Sequence, residues 1–448
     1  MEFKRLSFDN FNEIIHFMPK KLPPEEFLSE FSPIATVLWA KFLSTEFAIL
    51  EKTLILRTNY HGFGAQYKFP LGENVDNALD EIFEIEKNPS FFGLNKTQSE
   101  KIVKKSPDYC INPIRDFFDY VYDGEKIKTL SGKKLQQKRN HYNAFVNLYP
   151  EAKYTIIDEQ IAEKCAEIYP SWMVDHPQKD DEGFIAEAKS LIHILNNWKK
   201  FSLLGGAIEY KGKIIAFTIS EQINENLAII HFEKANRDFR GSYAAINKWH
   251  AQNTHSDTQY INREDDGGVR GLRQTKLAYR PIFMVEKFRV TNKIALRKFI
   301  LGRRKGLEPL SLTDEIDITN YNNIYIYKTL PSEINTSEFI KNNPNKRFFI
   351  PEMNAYNMTF TPLDNGPHAE PDLIIVPALA YSKDGHRLGF GKGCYDKFLK
   401  NHINTPKIGI IQEEFFLENL PIEPHDIKVD KVVVIKVKEI ENEQNEID

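Results

Sequence analysis

Three alternate glycines, Gly389, Gly391 and Gly393, stand between an apolar run, PDLIIVPALA, and a segment patterned as a helix, CYDKFLKN. A buried strand that empties through a glycine loop into a helix belongs to an open, largely parallel α/β sheet. In such sheets, sites form at the carboxyl ends of the strands. The loop turns backbone N–H groups toward an anion, glycine lets a ligand approach the main chain, and Lys392 and Arg387 neutralise phosphate charge. It is not a Walker A loop, because neither GxxxxGKS nor GxxxxGKT occurs in it.

The same alternation runs through the rest of the chain's end. KIALRKFILGRRKG reads as a basic amphipathic helix closing at Gly306, NIYIYK as a strand, and a helix follows from Ser337. KRFFIP, NMTFTPL, KIGII and KVVVIKV read as further strands. A junction is therefore placed near residue 290. A chain of 448 residues holds two or three domains, and 41% hydrophobic residues with 32 Phe and 19 Tyr suffice to bury their cores. The 59 Lys+Arg against 63 Asp+Glu exclude a global basic excess and leave only local basic patches for nucleic acid.

No apolar run approaches the roughly 20 residues that span a bilayer, and MEFKRLSFDNF lacks a signal peptide's pattern, so a cytoplasmic protein is expected. Cys110, Cys165 and Cys394 are scattered and read as free thiols. An acidic tail, 439–448, is expected to fray.

In the first part, LSGKKLQQKRNHYNAFVNLYP places Leu135, Tyr142, Phe145, Val146 and Tyr149 on one helical face, with Ser131 as N-cap and Pro150 as stop. Its other face carries Lys133, Lys134, Lys138 and Arg139, a set that suits phosphate contact and equally suits a solvated surface. An amphipathic stretch from 184 to 201 follows. GGAIEYKGKIIAFTIS reads as a hairpin turning at Lys211-Gly212, and LAIIHFEKA as its third strand. Arg240-Gly241 opens a helix, TQYIN is a strand, and VRGLRQTKLA a helix. Glu233 and Lys234, and Asn262, Arg263, Glu264 and Asp265, sit at strand ends where such folds build sites.

This order of elements is that of a GNAT-type acyltransferase. GKKLQQKRNHYNAF, IIAFTISE, HFEKANRDFRGSYAAIN and YINREDDGGVRGLRQTKLAYRP together resemble the phosphatidylglycerol lysyltransferase C-terminal-like family over residues 1–288. The resemblance implies two GNAT-like lobes in tandem, 1–125 and 126–290, related to transferases that use aminoacyl-tRNA. Around Arg240-Gly241 the second glycine of an acetyl-CoA pyrophosphate loop is missing, so acetyl-CoA is disfavoured.

VPALAYSKDGHRLGFGKGCYDKFL, with DLII before it and PIEPHDIKVDKVVV after it, resembles the 5-formyltetrahydrofolate cyclo-ligase family, with KIALRKFILGRRKG and LPSEINTSEFIKNNPNKRFFIPEMNAYNMTFTPL in the same order. The resemblance covers 291–438 and implies that Lys293, Arg297, Arg387, Gly389, Gly391, Lys392, Gly393 and Tyr395 bind ATP. Arg387 and Lys392 would serve catalysis, Asp396 and Asp430 would hold Mg²⁺, and Glu333 would contact the folate. The implied reaction has the formyl oxygen take the γ-phosphoryl group of ATP and the neighbouring folate nitrogen close the ring as phosphate leaves. Between MTFTPL and PDLIIVP only DNGPHAE remains, GLEPLSLTDEIDITNYN replaces a second helix, and Cys394 stands at a family aromatic position. The folate half is therefore pared down.

The fold expected is thus tandem GNAT-like lobes followed by an open, mainly parallel α/β domain. The first functional expectation is ATP- and Mg²⁺-dependent cyclisation of 5-formyltetrahydrofolate to 5,10-methenyltetrahydrofolate. The alternative is aminoacyl-tRNA-dependent transfer to a small acceptor or lipid headgroup through Lys133, Lys134, Lys138, Arg139, Glu233, Arg240, Gly241, Asn262, Arg263 and Glu264. A third reading keeps the C-terminal part as a nucleotide- or folate-sensing module.

Overall fold

A computed structural model describes residues 1–436 apart from 60–63, 175, 306, 308–309, 332 and 355–356. The acidic tail at 439–448 and the helix end at Gly306 lie outside the described residues. The strands form two mixed sheets, of eight and seven strands, then a six-stranded sheet beside a small three-stranded one.

The first sheet runs Lys4–Arg5, Glu46–Leu50, Thr53–Thr58, Gln66–Tyr67, Ser90–Leu94, Phe288–Asn292, Tyr109–Pro113, with Leu71–Gly72 pairing to Thr53–Thr58 as the eighth strand. Phe288–Asn292 is thus inserted late in the chain between two early strands. In the second sheet Lys213–Gln222 pairs antiparallel with Leu204–Tyr210 through the two-residue turn at Lys211-Gly212. Both turn residues have positive φ, 50° and 76°, as a type I′ hairpin demands. Leu227–Ala235 then pairs parallel with Tyr260–Asn262, because the helix Ser242–Asn253 crosses between them. Gly241 leads that helix at φ 81°, and a Cβ there would lie 2.4 Å from the carbonyl oxygen of His141.

The first two sheets share a core. Leu6, Ile34 and Phe47 pack with Ile161, Leu191 and Phe217, so the helices Glu159–Met173 and Glu182–Asn196 bury their apolar faces against both parts. Each fully buried side chain of this size contributes about 1.5–3 kcal/mol. The helix read at 131–149 proves shorter, Gln136–Leu148, after a turn at Lys133–Leu135. Ser131 lies outside it and does not cap it. Val146 is 36% exposed, whereas Leu135 and Phe145 are buried as expected.

The six-stranded sheet runs Asn357–Pro362, Arg347–Asn354, Asn323–Ile326, Leu373–Val376, Lys407–Gln412, Lys431–Ile435, parallel except for its first pair. The fold class is therefore the one the sequence implies. A junction helix, Lys293–Arg304, starts at the residue after Phe288–Asn292. Asn292 caps it, its Oδ1 accepting the Ala295 N–H at 3.0 Å, while its Nδ2 donates to Asn88 at 2.7 Å. Leu296 and Ile300 bury the other face in the last sheet's core.

Candidate functional site

Two places on the molecule assemble chemistry. At the first, the glycine loop after the apolar strand turns into the helix Cys394–Lys400. Gly391 and Gly393 have φ of 99° and 66°, a region where any side chain strains the backbone. The junction helix lies beneath: Arg297 Nε donates to the Gly389 carbonyl at 2.9 Å, and its guanidinium would be 3.3 Å from a Cβ on Gly391. A Cβ on Gly389 or Gly393 would meet nothing within 4 Å, so the loop offers open space for a ligand. Arg387 is buried and forks between Asp396, at 2.7 Å, and the Ile427 carbonyl, at 3.0 Å. Lys392 is exposed at the loop tip, and Tyr395 is half-buried beside the Arg387 guanidinium.

Asp396 Oδ1 accepts the Ile427 N–H at 3.3 Å, and the preceding residue, Asp426, holds Lys293 Nζ at 2.8 Å. Glu423, His425 and Asp426 bring ligand atoms within 4.8 Å of one another, with Lys293 Nζ against both carboxylates. Asp430, expected to join Asp396, is engaged elsewhere. Its carboxylate accepts the Lys407 N–H at 2.7 Å at the amino ends of two parallel strands.

Glu333 is buried, accepts the Leu330 N–H at 3.0 Å, and borders a cavity of about 10 Å³ with Arg304 and Tyr327. Burial pushes its carboxyl above the usual range. Burial also lowers Arg304, to about 10, with Glu333 opposing that shift.

The second place is a cleft of about 2570 Å³ between the lobes, bounded at one end by residues of the C-terminal part. On its wall His231 Nδ1 meets Glu264 at 2.7 Å, with Glu221 3.4 Å from Nε2. Burial opposes a charge there, but bonds to the two carboxylates prevail and hold the imidazole at about 9. Arg263 pairs with Glu233 at 2.9 Å over the ring of Tyr279. Below them Lys287, 0% exposed in its side chain, contacts Asp119 and Glu30 at 2.7 Å and Asp265 at 3.7 Å. Burial raises Asp265 to about 7, with Lys287 opposing. Lys276 falls to about 8 because burial disfavours its charge.

Comparison with known proteins separates these two places by family. The family model described as phosphatidylglycerol lysyltransferase, C-terminal, matches residues 27–291, more than half of the chain.

The chain belongs to the phosphatidylglycerol lysyltransferase C-terminal family. A conserved protein of unknown function from Bacteroides thetaiotaomicron shares the fold at 30% identity and TM-score 0.58, over 65% of this chain and 99% of that one. An uncharacterized protein of Mycoplasmoides gallisepticum is 32% identical over 173 residues, 38% of this chain and 55% of its own length. The 5-formyltetrahydrofolate cyclo-ligase family model matches residues 356–435. The Mycoplasma genitalium 5-formyltetrahydrofolate cyclo-ligase is 29% identical over 163 residues, 32% of this chain and 98% of its own length. The chain nevertheless spans only about a third to a half of the first curated relatives it matches. No helix among the described residues is long and apolar enough to cross a membrane.

The lysyltransferase-family cleft gathers half of the residues expected of it. Lys138, Glu233, Gly241, Arg263 and Glu264 line it, whereas Lys133, Lys134, Arg139, Arg240 and Asn262 do not. Lys138 Nζ sits 4.9 Å over Tyr279. Arg139 instead donates to the carbonyls of Leu130 and Gly132, closing the turn before its helix. Asn262 is buried and shapes the strand end, its Oδ1 accepting the Glu264 N–H at 2.8 Å. His231 and Lys287 escaped the sequence reading, since a lone His or Lys in an apolar strand pattern gives no period or spacing to mark it.

Proposed function

We propose that residues 291–438 cyclise 5-formyltetrahydrofolate to 5,10-methenyltetrahydrofolate with ATP and Mg²⁺. The observation that supports this reading is an open glycine loop braced by Arg297 on the Gly389 carbonyl, beside which Arg387 pairs with Asp396. The loop has room for phosphates, and its carboxylates are the hard oxygen donors that suit Mg²⁺. Lys392 and Arg387 balance phosphate charge, Arg297 fixes the loop from below, and Asp396 with Asp426 holds the ion. When bound, ATP with Mg²⁺ supplies the phosphoryl group that makes the formyl oxygen a leaving group. Tyr395 packs beside the loop, and Glu333 with Arg304 orients the folate. The protein's contribution is positioning and charge neutralisation, as is usual for phosphoryl transfer.

Absorbance-monitored formation of 5,10-methenyltetrahydrofolate by the full chain tests the reading. Lys392→Ala should raise the KM for ATP about tenfold, the scale of one lost charged contact. Asp396→Asn and Asp426→Asn should weaken Mg²⁺ dependence, and Asp430→Asn should leave it unchanged. ATP binding without turnover would reduce the C-terminal part to a sensing module.

The cleft favours a second activity in the same chain, aminoacyl transfer from aminoacyl-tRNA to a small acceptor or lipid headgroup, with lobes 1–125 and 126–290 as its two halves. Lys138, Glu233, Arg263 and Glu264 on one wall support it, supplying both charges where a donor and an amine acceptor would meet. Transfer of labelled lysine from lysyl-tRNA that is lost in Glu233→Gln would establish it, and absence of tRNA-dependent labelling would overturn it.

A further inference from the structure

Arg289 lies where the first sheet gives way to the junction helix. Its Nε is buried with no hydrogen-bond partner. Its guanidinium stands 3.6 Å from the ring centroid of Phe299, on the junction helix, and 5.1 Å from that of Phe92, on the first sheet. Among the described residues no carboxylate pairs with it, yet it lines the cleft. Burial lowers its pKa to about 9, Arg303 acts in the same direction, and Glu414 opposes them.

A partly desolvated guanidinium whose Nε is buried without a partner is costly without an opposite charge, and aromatic faces replace only part of its hydration. The surroundings reinforce the deficit. Lys68 sits 5.2 Å over the same Phe92 ring, and Arg303 borders the cleft beside Phe299. The carboxylate that acts on Arg289 is Glu414, and it is held by Arg303, while Glu30 across the cleft is held by Lys287 and Lys68, at 2.7 and 3.4 Å. The Arg303–Glu414 pair is 49% and 37% exposed, so it is weak enough for an incoming anion to release.

We propose that Arg289 anchors a phosphate-binding subsite built jointly by the transferase lobes and the fused C-terminal part, taking a small organic phosphate whose apolar body lies along Phe92 and Phe299. The guanidinium fork matches phosphate oxygens, and Arg303, freed from Glu414, supplies the second cation. The subsite is separate from the glycine loop, none of whose residues 387–396 borders the cleft. The cleft of this chain is therefore completed by the part fused to it.

Titration calorimetry of the full chain carrying Lys392→Ala, which weakens the loop about tenfold, tests this with inorganic phosphate and phenyl phosphate at constant ionic strength, the Arg289→Gln comparison being made in that background. Saturable binding of both is expected, with phenyl phosphate several-fold tighter. Arg289→Gln should weaken both at least tenfold, Phe299→Ala should erase the preference for phenyl phosphate, and Glu414→Gln should tighten both. Absence of saturable binding in the Lys392→Ala chain overturns the proposal, as does unchanged affinity in a folded Arg289→Gln protein. Should Arg289→Gln not fold, Glu414→Gln decides, since unchanged affinity there also overturns it. Loss of phosphate binding at the loop alone, read as Lys392→Ala against the unmodified chain, bears on the cyclo-ligase reading and not on this one.

Discussion

Single buried polar groups govern how this protein responds to pH. His231 is held charged by Glu264 and Glu221 at about 9, above its ordinary value near 6.5. Its contribution is therefore complete below pH 6.5 and lost as pH rises through 9. Denaturant unfolding should show stability falling by roughly 3 kcal/mol over that window, the size of a shift of about two and a half units in a buried group. His231→Gln should flatten the slope, and an equal slope in the variant would mean another group titrates there. A different single-residue constraint lies in Gly409, where a Cβ would fall 2.4 Å from the buried Tyr381 ring. Gly409→Ala should destabilise by about 1–3 kcal/mol through overpacking, read as a lowered denaturation midpoint. Lys392 and Arg387 were legible as loop cations from spacing alone.

Turns and helix ends are the elements whose chemistry the sequence states most openly. Lys211-Gly212 between two β-rich runs is a hairpin signal, and its positive φ values bear it out. Gly212 has open space where a Cβ would go, so Gly212→Ala should cost only the left-handed backbone term, about 1 kcal/mol. Lys211→Asn should be neutral or stabilising, since Asn tolerates that conformation better. Thermal unfolding of both variants checks the pair of signs. The helix at 136–148 was less legible. Its basic residues suggested one binding surface, but Arg139 closes a local turn and only Lys138 reaches the cleft.

At the scale of the molecule, the junction between parts is a continuous run of structure, with Phe288–Asn292 in one sheet and Lys293–Arg304 in the core of another. The two parts also meet away from it. Asn419 donates its backbone N–H to Asn112 Oδ1 at 2.8 Å and its Nδ2 to the Ile111 carbonyl at 2.9 Å, covering the sheet edge. Asn419→Ala should remove one of these bonds, worth about 1 kcal/mol, and raise hydrogen exchange at Tyr109–Pro113 without altering exchange in Lys213–Gln222. Uniform exchange across both would show that the contact does not protect that edge.

By itself the sequence determined the alternation of strands and helices, the hairpin, the glycine loop and the two family resemblances, because each is written in local spacing and turn chemistry. Only the tertiary structure decided that Phe288–Asn292 returns to the first sheet, that the Asp430 carboxylate accepts the Lys407 N–H, and that Arg289 faces the cleft between two aromatic rings. Those outcomes depend on pairings between residues far apart in the chain, and the energies that select them come from burial and charge in three dimensions, which no local period records.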